Sequence, residues 1–121
     1  MATSSIPNPN VVGNIRVATA ATGNGTTFTL ELANAATQAL WLMLSSRYPT
    51  SSGTYRSPTI YSLVYRSDDN LIVVTQVSAA SGTPITITAA QDANNPRKIT
   101  ITTANKFCDA VIIGTNPFTV S

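Results

Sequence analysis

Ile85-Thr86-Ile87-Thr88 and Ile99-Thr100-Ile101-Thr102 carry one alternating pattern on either side of the polar stretch Gln91-Asp92-Ala93-Asn94-Asn95-Pro96. Successive side chains of a strand point to opposite faces, so isoleucine falls on one side and threonine on the other. Two such ribbons joined by a turn-forming loop predict an antiparallel hairpin with one dry face and one wet face. Nothing else recurs at that interval, which makes this a hairpin and not a repeat architecture.

The same period extends outward in both directions. Thr26–Leu32 sets Phe28, Leu30 and Leu32 against Thr27, Thr29 and Glu31. Asn14–Thr19 is a short alternating strand, and Gly23-Asn24-Gly25 marks a turn after it. Thr59–Arg66 and Leu71–Val77 flank Ser67-Asp68-Asp69-Asn70 and read as a second hairpin. Phe107–Ile113 is a further strand, and the tail Gly114–Ser121 has room for a short edge. Residues 33–46 allow two readings. Their alanines and leucines have helix propensity behind a capping Asn34, whereas Ala39–Leu44 is a continuous apolar run of strand length. A strand covered on both faces is the preferred reading and a short helix the alternative. Residues 1–13, with Pro7, Asn8, Pro9, Asn10 and Gly13, read as an extended arm or linker ahead of one domain over residues 14–121. About eight strands and no long helix make the fold class all-β: an antiparallel, jelly-roll-like β-sandwich.

Composition agrees and narrows the function. The 121 residues include 19 Thr, 12 Ser and 10 Asn against only 7 basic and 5 acidic residues. Solubility therefore rests on hydroxyls and amides, and threonine suits a half-exposed pleated surface. A net charge of +2 is too weak a field to point to nucleic acid. No apolar run reaches the ~18 residues of a spanning helix, so no membrane insertion is expected. The first seven residues lack the basic and apolar regions of a secretory signal. With no histidine, the usual acid–base group and commonest metal ligand are missing, and one cysteine makes no internal disulfide.

A search for chemistry finds no catalytic constellation, no metal site and no cofactor motif. Cys108 shares a strand face with Ala110 and Ile112 and reads as a small core hydrophobe. Asp109 shares the opposite face with Phe107, Val111 and Ile113, so its carboxylate needs a partner or an edge near water. Arg66 is the arginine matched to it, within the chain or across a subunit interface, with Arg16 as a second choice. Asp68-Asp69-Asn70 has the composition of a calcium loop without its spacing, and turn residues explain it better. The strongest recognition candidate is the loop from Arg47 to Arg56, with Arg47, Tyr48, Tyr55 and Arg56 set among Ser, Thr and Gly. Rigid amphipathic rings and directed guanidinium donors suit contact with a ligand or another subunit.

The stretch from Gly53 to Arg66, the Ile–Thr hairpin and Phe107–Gly114 together resemble the small jelly-roll head domains of viral and bacteriophage fibres, which share the tumour-necrosis-factor and C1q architecture. The resemblance covers residues 40–116 and lies in Thr/Ser/Asn-rich strands, a Tyr–Arg loop and a terminal apolar strand. It implies a non-enzymatic virion protein, a homotrimeric head that attaches to a host surface glycan or protein. One alternative is a capsid decoration protein clamped to capsid subunits through the arm. Another is a monomeric carbohydrate-binding module.

Overall fold

Alternation places one side of each strand in a common interior, and the computed structural model follows it strand by strand. It describes residues 10–12, 15–21, 27–46, 58–79, 84–103 and 108–121. Ten strands run in order: β1 (Asn10–Val12), β2 (Ile15–Ala21), β3 (Thr27–Leu32), β4 (Gln38–Ser46), β5 (Thr59–Arg66), β6 (Leu71–Ala79), β7 (Ile87–Gln91), β8 (Lys98–Thr103), β9 (Cys108–Gly114) and β10 (Phe118–Val120). The count exceeds the expected eight through two three-residue edge strands, β1 and β10. Among the described residues there is no helix, and hence none long and apolar enough to cross a membrane.

The strands form a six-stranded sheet, β1-β2-β9-β4-β5-β6, and a four-stranded sheet, β10-β3-β8-β7, with every pairing antiparallel. β2 pairs with β9 in one sheet and β3 with β8 in the other, the nested pairing expected of a jelly-roll-like wrap. β4, β5 and β6 remain together as a meander, and β9 returns beside β4 in Greek-key order. The fold is a β-sandwich. Of the arm expected over residues 1–13, Asn10–Val12 belong to the large sheet as β1, while residues 1–9 lie outside the described residues.

Leu40, Leu42 and Leu44 of β4, Leu63 and Tyr65 of β5 and Ile112 of β9 face Leu30, Leu32, Ile99 and Ile101 from the other sheet, all nearly inaccessible. Gly114 lets this core close, because a Cβ there would lie 3.2 Å from Leu40 Cδ2 and from Phe118 Cε1. After Gly114 the tail crosses to the small sheet, where Ser121 and Thr29 exchange backbone hydrogen bonds of 2.8 and 2.9 Å.

The Ile–Thr hairpin forms, but its two motifs are offset and meet only at Thr88 opposite Thr102. Ile87 stands opposite Thr103 and Ala89 opposite Ile101, so β7 runs on to Gln91 before the turn. That turn is held by Asp92, whose Oδ2 accepts from the Asn94 and Asn95 amides at 2.9 Å. Ile85 instead lies before β7 as a fully buried plug. Its amide donates to Thr59 Oγ1 at 2.9 Å and its carbonyl accepts from the Tyr61 hydroxyl at 2.7 Å. These bonds tie the start of β5 to the entry of β7 and so lock the two sheets at one end. Gln91 does the same at the other end, accepting from the Ile72 amide at 3.1 Å.

The strand reading of residues 38–46 holds, and Ala33–Thr37 is a bend instead of a helical turn. The Gln38 side chain, buried beside it, donates to the Asn34 and Ala36 carbonyls at 3.1 and 2.8 Å. The expectation that β4 is covered on both faces fails within this chain. Leu40, Leu42 and Leu44 are buried, yet Trp41 between them is 47% exposed. Trp41 is therefore not a core residue, contrary to its apolar surroundings in the sequence.

Two stability measurements check this packing. Ile101→Ala is expected to cost ~2–5 kcal/mol in urea denaturation, since a fully buried side chain leaves a cavity. Tyr61→Phe is expected to cost about 1–2 kcal/mol by leaving the Ile85 carbonyl without its donor. Burial raises the Tyr61 phenol above its ordinary value of 10.0, and hydrogen bonding with the Ile87 backbone offsets part of the rise. The unfolded chain thus loses this proton first. The contribution of the neutral phenol is intact below about pH 10 and drains away as pH climbs through the folded value, a loss that Tyr61→Phe abolishes.

Candidate functional site

The register of the large sheet decides which candidate residues meet. Thr27, Ser46, Thr59, Thr103 and Cys108 all end or begin strands at the end locked by the Thr59–Ile85 bond. The segment 47–57 therefore joins β4 to β5 at that end, as 22–26 and 104–107 join other strands there. Arg47, Tyr48, Tyr55 and Arg56 themselves lie outside the described residues.

Asp109 stands opposite Ala21 and Ser45, at that same end, and is partly buried. Arg66 stands opposite Leu71, one position beyond the Gln38–Tyr65 pair, at the far end of the sheet. From Gln38 to Ser45 is about 23 Å of strand, so the two do not pair within one chain. Arg66 instead closes its own turn, bonding to Asp69 and lying 3.9 Å from Asp68. Arg16 is at the far end too, donating to the Thr115 carbonyl at 2.7 Å.

The turn Ser67–Asn70 uses the groups that give it a calcium-like composition. Asp69 Oδ1 accepts from the Leu71 amide at 3.3 Å, and Asn70 Oδ1 accepts from the Tyr65 hydroxyl at 2.6 Å. Asn70 has φ of 57°, the left-handed conformation that asparagine tolerates. Among the described residues no group of three or more His, Cys, Asp or Glu side chains is placed to hold a metal ion. Cys108 is buried in the core cluster, opposite Ser46.

What the structure adds is an apolar outer face on the large sheet. Across its middle run Val17, Ile113, Trp41, Ser62 and Thr75, each beside the next. The flanking rows are Thr19, Val111, Met43 and Ile60 on one side and Ala39, Val64 and Val73 on the other. Ile15, Trp41, Leu71 and Val77 are each about half exposed, at 47, 47, 52 and 50%. The charges of this face stand at its two ends, Asp109 at one and Arg66 at the other, leaving the centre neutral. Six strands at ~4.8 Å spacing and seven residues at ~3.3 Å span roughly 650 Å². The signal was present in the sequence: Ala39, Trp41 and Met43 alternate with leucines that alone complete the interior.

No family model and no curated protein matches the chain. Among solved structures, it is similar to the Acinetobacter phage vB_ApiP_P1 tailspike protein, at 14% identity and a TM-score of 0.48. The match covers 100% of this chain and 25% of the tailspike chain.

The turn gives a direct check. Asn70→Ala is expected to lower stability by about 1–2 kcal/mol, through the left-handed backbone and the lost Tyr65 bond. Asn70→Gly recovers the backbone part, and millimolar calcium leaves the melting temperature of both variants unchanged.

Proposed function

We propose that this chain is a non-enzymatic structural head of a bacteriophage particle, assembled from several copies through the outer face of its large sheet. The supporting observation is that neutral apolar face centred on Trp41. A half-exposed tryptophan set between Ile113 and Ser62, with Ala39 and Met43 before and after it on the same face, is costly to leave in water and typical of an interface centre. The resemblance to fibre heads makes a trimer the expected assembly. A three-fold contact is heterologous, one copy's face packing on a different surface of the next, and Asp109 with the next copy's Arg66 is the candidate ion pair across it. The end joined by segments 22–26, 47–57 and 104–107 then carries the host contact. Arg47, Tyr48, Tyr55 and Arg56 supply rings and guanidinium groups to a surface glycan or protein.

Trp41 on a flat sheet face also suits a monomeric carbohydrate-binding module, in which the ring stacks on a sugar. A sugar platform needs polar groups beside its aromatic ring, which Ser62 and Thr75 supply on one side only; Ile113 on the other side and Met43 along the strand favour a protein partner.

Mass in solution separates the two. The wild type is expected to be a trimer or a multiple of one at micromolar concentration by light scattering, and Trp41→Arg to weaken assembly by ~30-fold or more while keeping the sheet spectrum. A wild type that is monomeric at all concentrations, with Trp41 fluorescence quenched by polysaccharide, overturns the assembly reading in favour of the module.

A further inference from the structure

β6 closes one side of the large sheet, and its free edge differs from every other described edge. It is nine residues long, Leu-Ile-Val-Val-Thr-Gln-Val-Ser-Ala, with no charge and no proline. The other edges are three residues in β1, three in β10 and five in β7. Proteins blunt long apolar edges with charge, proline, bulges or a covering segment, because the unpaired N–H and C=O groups there template another strand. In β6 such devices act only at the ends. A bulge at Val77 shifts the pairing with β5 from Tyr61–Gln76 to Ile60–Ser78, and the Gln91 side chain takes the Ile72 amide at 3.1 Å; between them Ile72–Gln76 pairs in unbroken register.

That bond fixes which groups are exposed. The Ile72 N–H points away from β5, so by antiparallel alternation the N–H and C=O of Val74 and Gln76 do so as well. Among the described residues no strand pairs with this edge, and these groups form a short open ladder in the middle of the strand. The occupant that fits is the same strand of a second copy. Set antiparallel about a two-fold axis at Thr75, Val74 of each copy faces Gln76 of the other and exchanges both backbone bonds. Thr75 meets Thr75, and the exposed Val73 of each copy falls beside the bulged Val77 of the other. No like charges meet, because the Arg66–Asp69 turns fall at opposite ends of the paired strands.

We propose that β6 is a second assembly surface, through which two copies join their six-stranded sheets edge to edge. This contact uses backbone groups and is separate from the Trp41 face; together the two would pair face-assembled particles into larger ones.

Hydrogen exchange on the intact chain is the test. In the assembled protein the Val74 and Gln76 amides are expected to exchange at least about tenfold more slowly than after dilution to dissociated copies. Gln76→Pro, which removes an edge N–H and leaves Trp41 and Met43 untouched, is expected to halve the particle mass and abolish that protection. Thr75→Lys, which sets two ammonium groups at the two-fold axis, gives the same halving with an unchanged melting temperature of the separated copies. Solvent-rate exchange at Val74 and Gln76 in concentrated purified protein overturns the proposal, including the case where another protein supplies the strand. Trp41→Arg reads the face alone: if it dissociates the protein while both β6 variants keep the wild-type mass, the edge contact fails and the face reading stands.

Discussion

A strand has two faces, and a two-layer sandwich covers only one of them. Every element of this protein is arranged by that constraint. The four-stranded sheet shields the inner side of the six-stranded sheet, where leucine and isoleucine side chains are almost inaccessible. It gives no cover to the other side. The four-stranded sheet meets the same constraint on its own outer side with threonine, as β3 and β8 do with Thr29, Thr100 and Thr102. β4 and β9 do not: Ala39, Trp41 and Met43, with Val111 and Ile113, make both sides of the central strands apolar. At ~25 cal/mol per Å² of apolar surface, removing such a face from water is a large driving force for assembly.

The low charge of the chain fits this account. Only 10% of residues are charged, and the net charge is +2. Copies that must pack closely meet little repulsion, and the charges on the described face sit at its ends, where they bias orientation more than affinity. The work that ion pairs do in other domains falls here to amides and hydroxyls. Gln38 holds the bend before β4, Gln91 bridges the two sheets, and Asp92 and Asn95 shape the β7–β8 turn. These are short-range, directional bonds that fix strand ends and leave the faces free for contact.

The sequence made the alternation legible, and with it the two hairpins, the sandwich and most of the interior. Ile99, Ile101 and Ile112 are buried as their period requires. Three things were not legible, each for a physical reason. A continuous apolar run such as Ala39–Leu44 shows that both sides of a strand avoid water, but not whether the second cover comes from the same chain or another. That is why Trp41 reads as core in sequence and stands half exposed in the fold. Register was also hidden: the two Ile–Thr motifs look like mutual partners, yet the turn chemistry of Asp92 and Asn95 fixes the hairpin elsewhere. Nor does sequence separation say at which end of a sheet a residue emerges, and so Arg66 and Asp109, plausible as a pair, lie at opposite ends. The Arg47–Arg56 loop remains a reading from composition, anchored by Ser46 and Thr59.

Trp41 is the sole tryptophan, so its emission reports on the outer face and nothing else. A dilution series followed by fluorescence, with iodide as quencher, therefore addresses the central claim directly. If the face is an assembly surface, emission is blue and shielded at high concentration and shifts to red and quenchable as copies separate. Red, fully quenchable emission that stays the same at every concentration would contradict it.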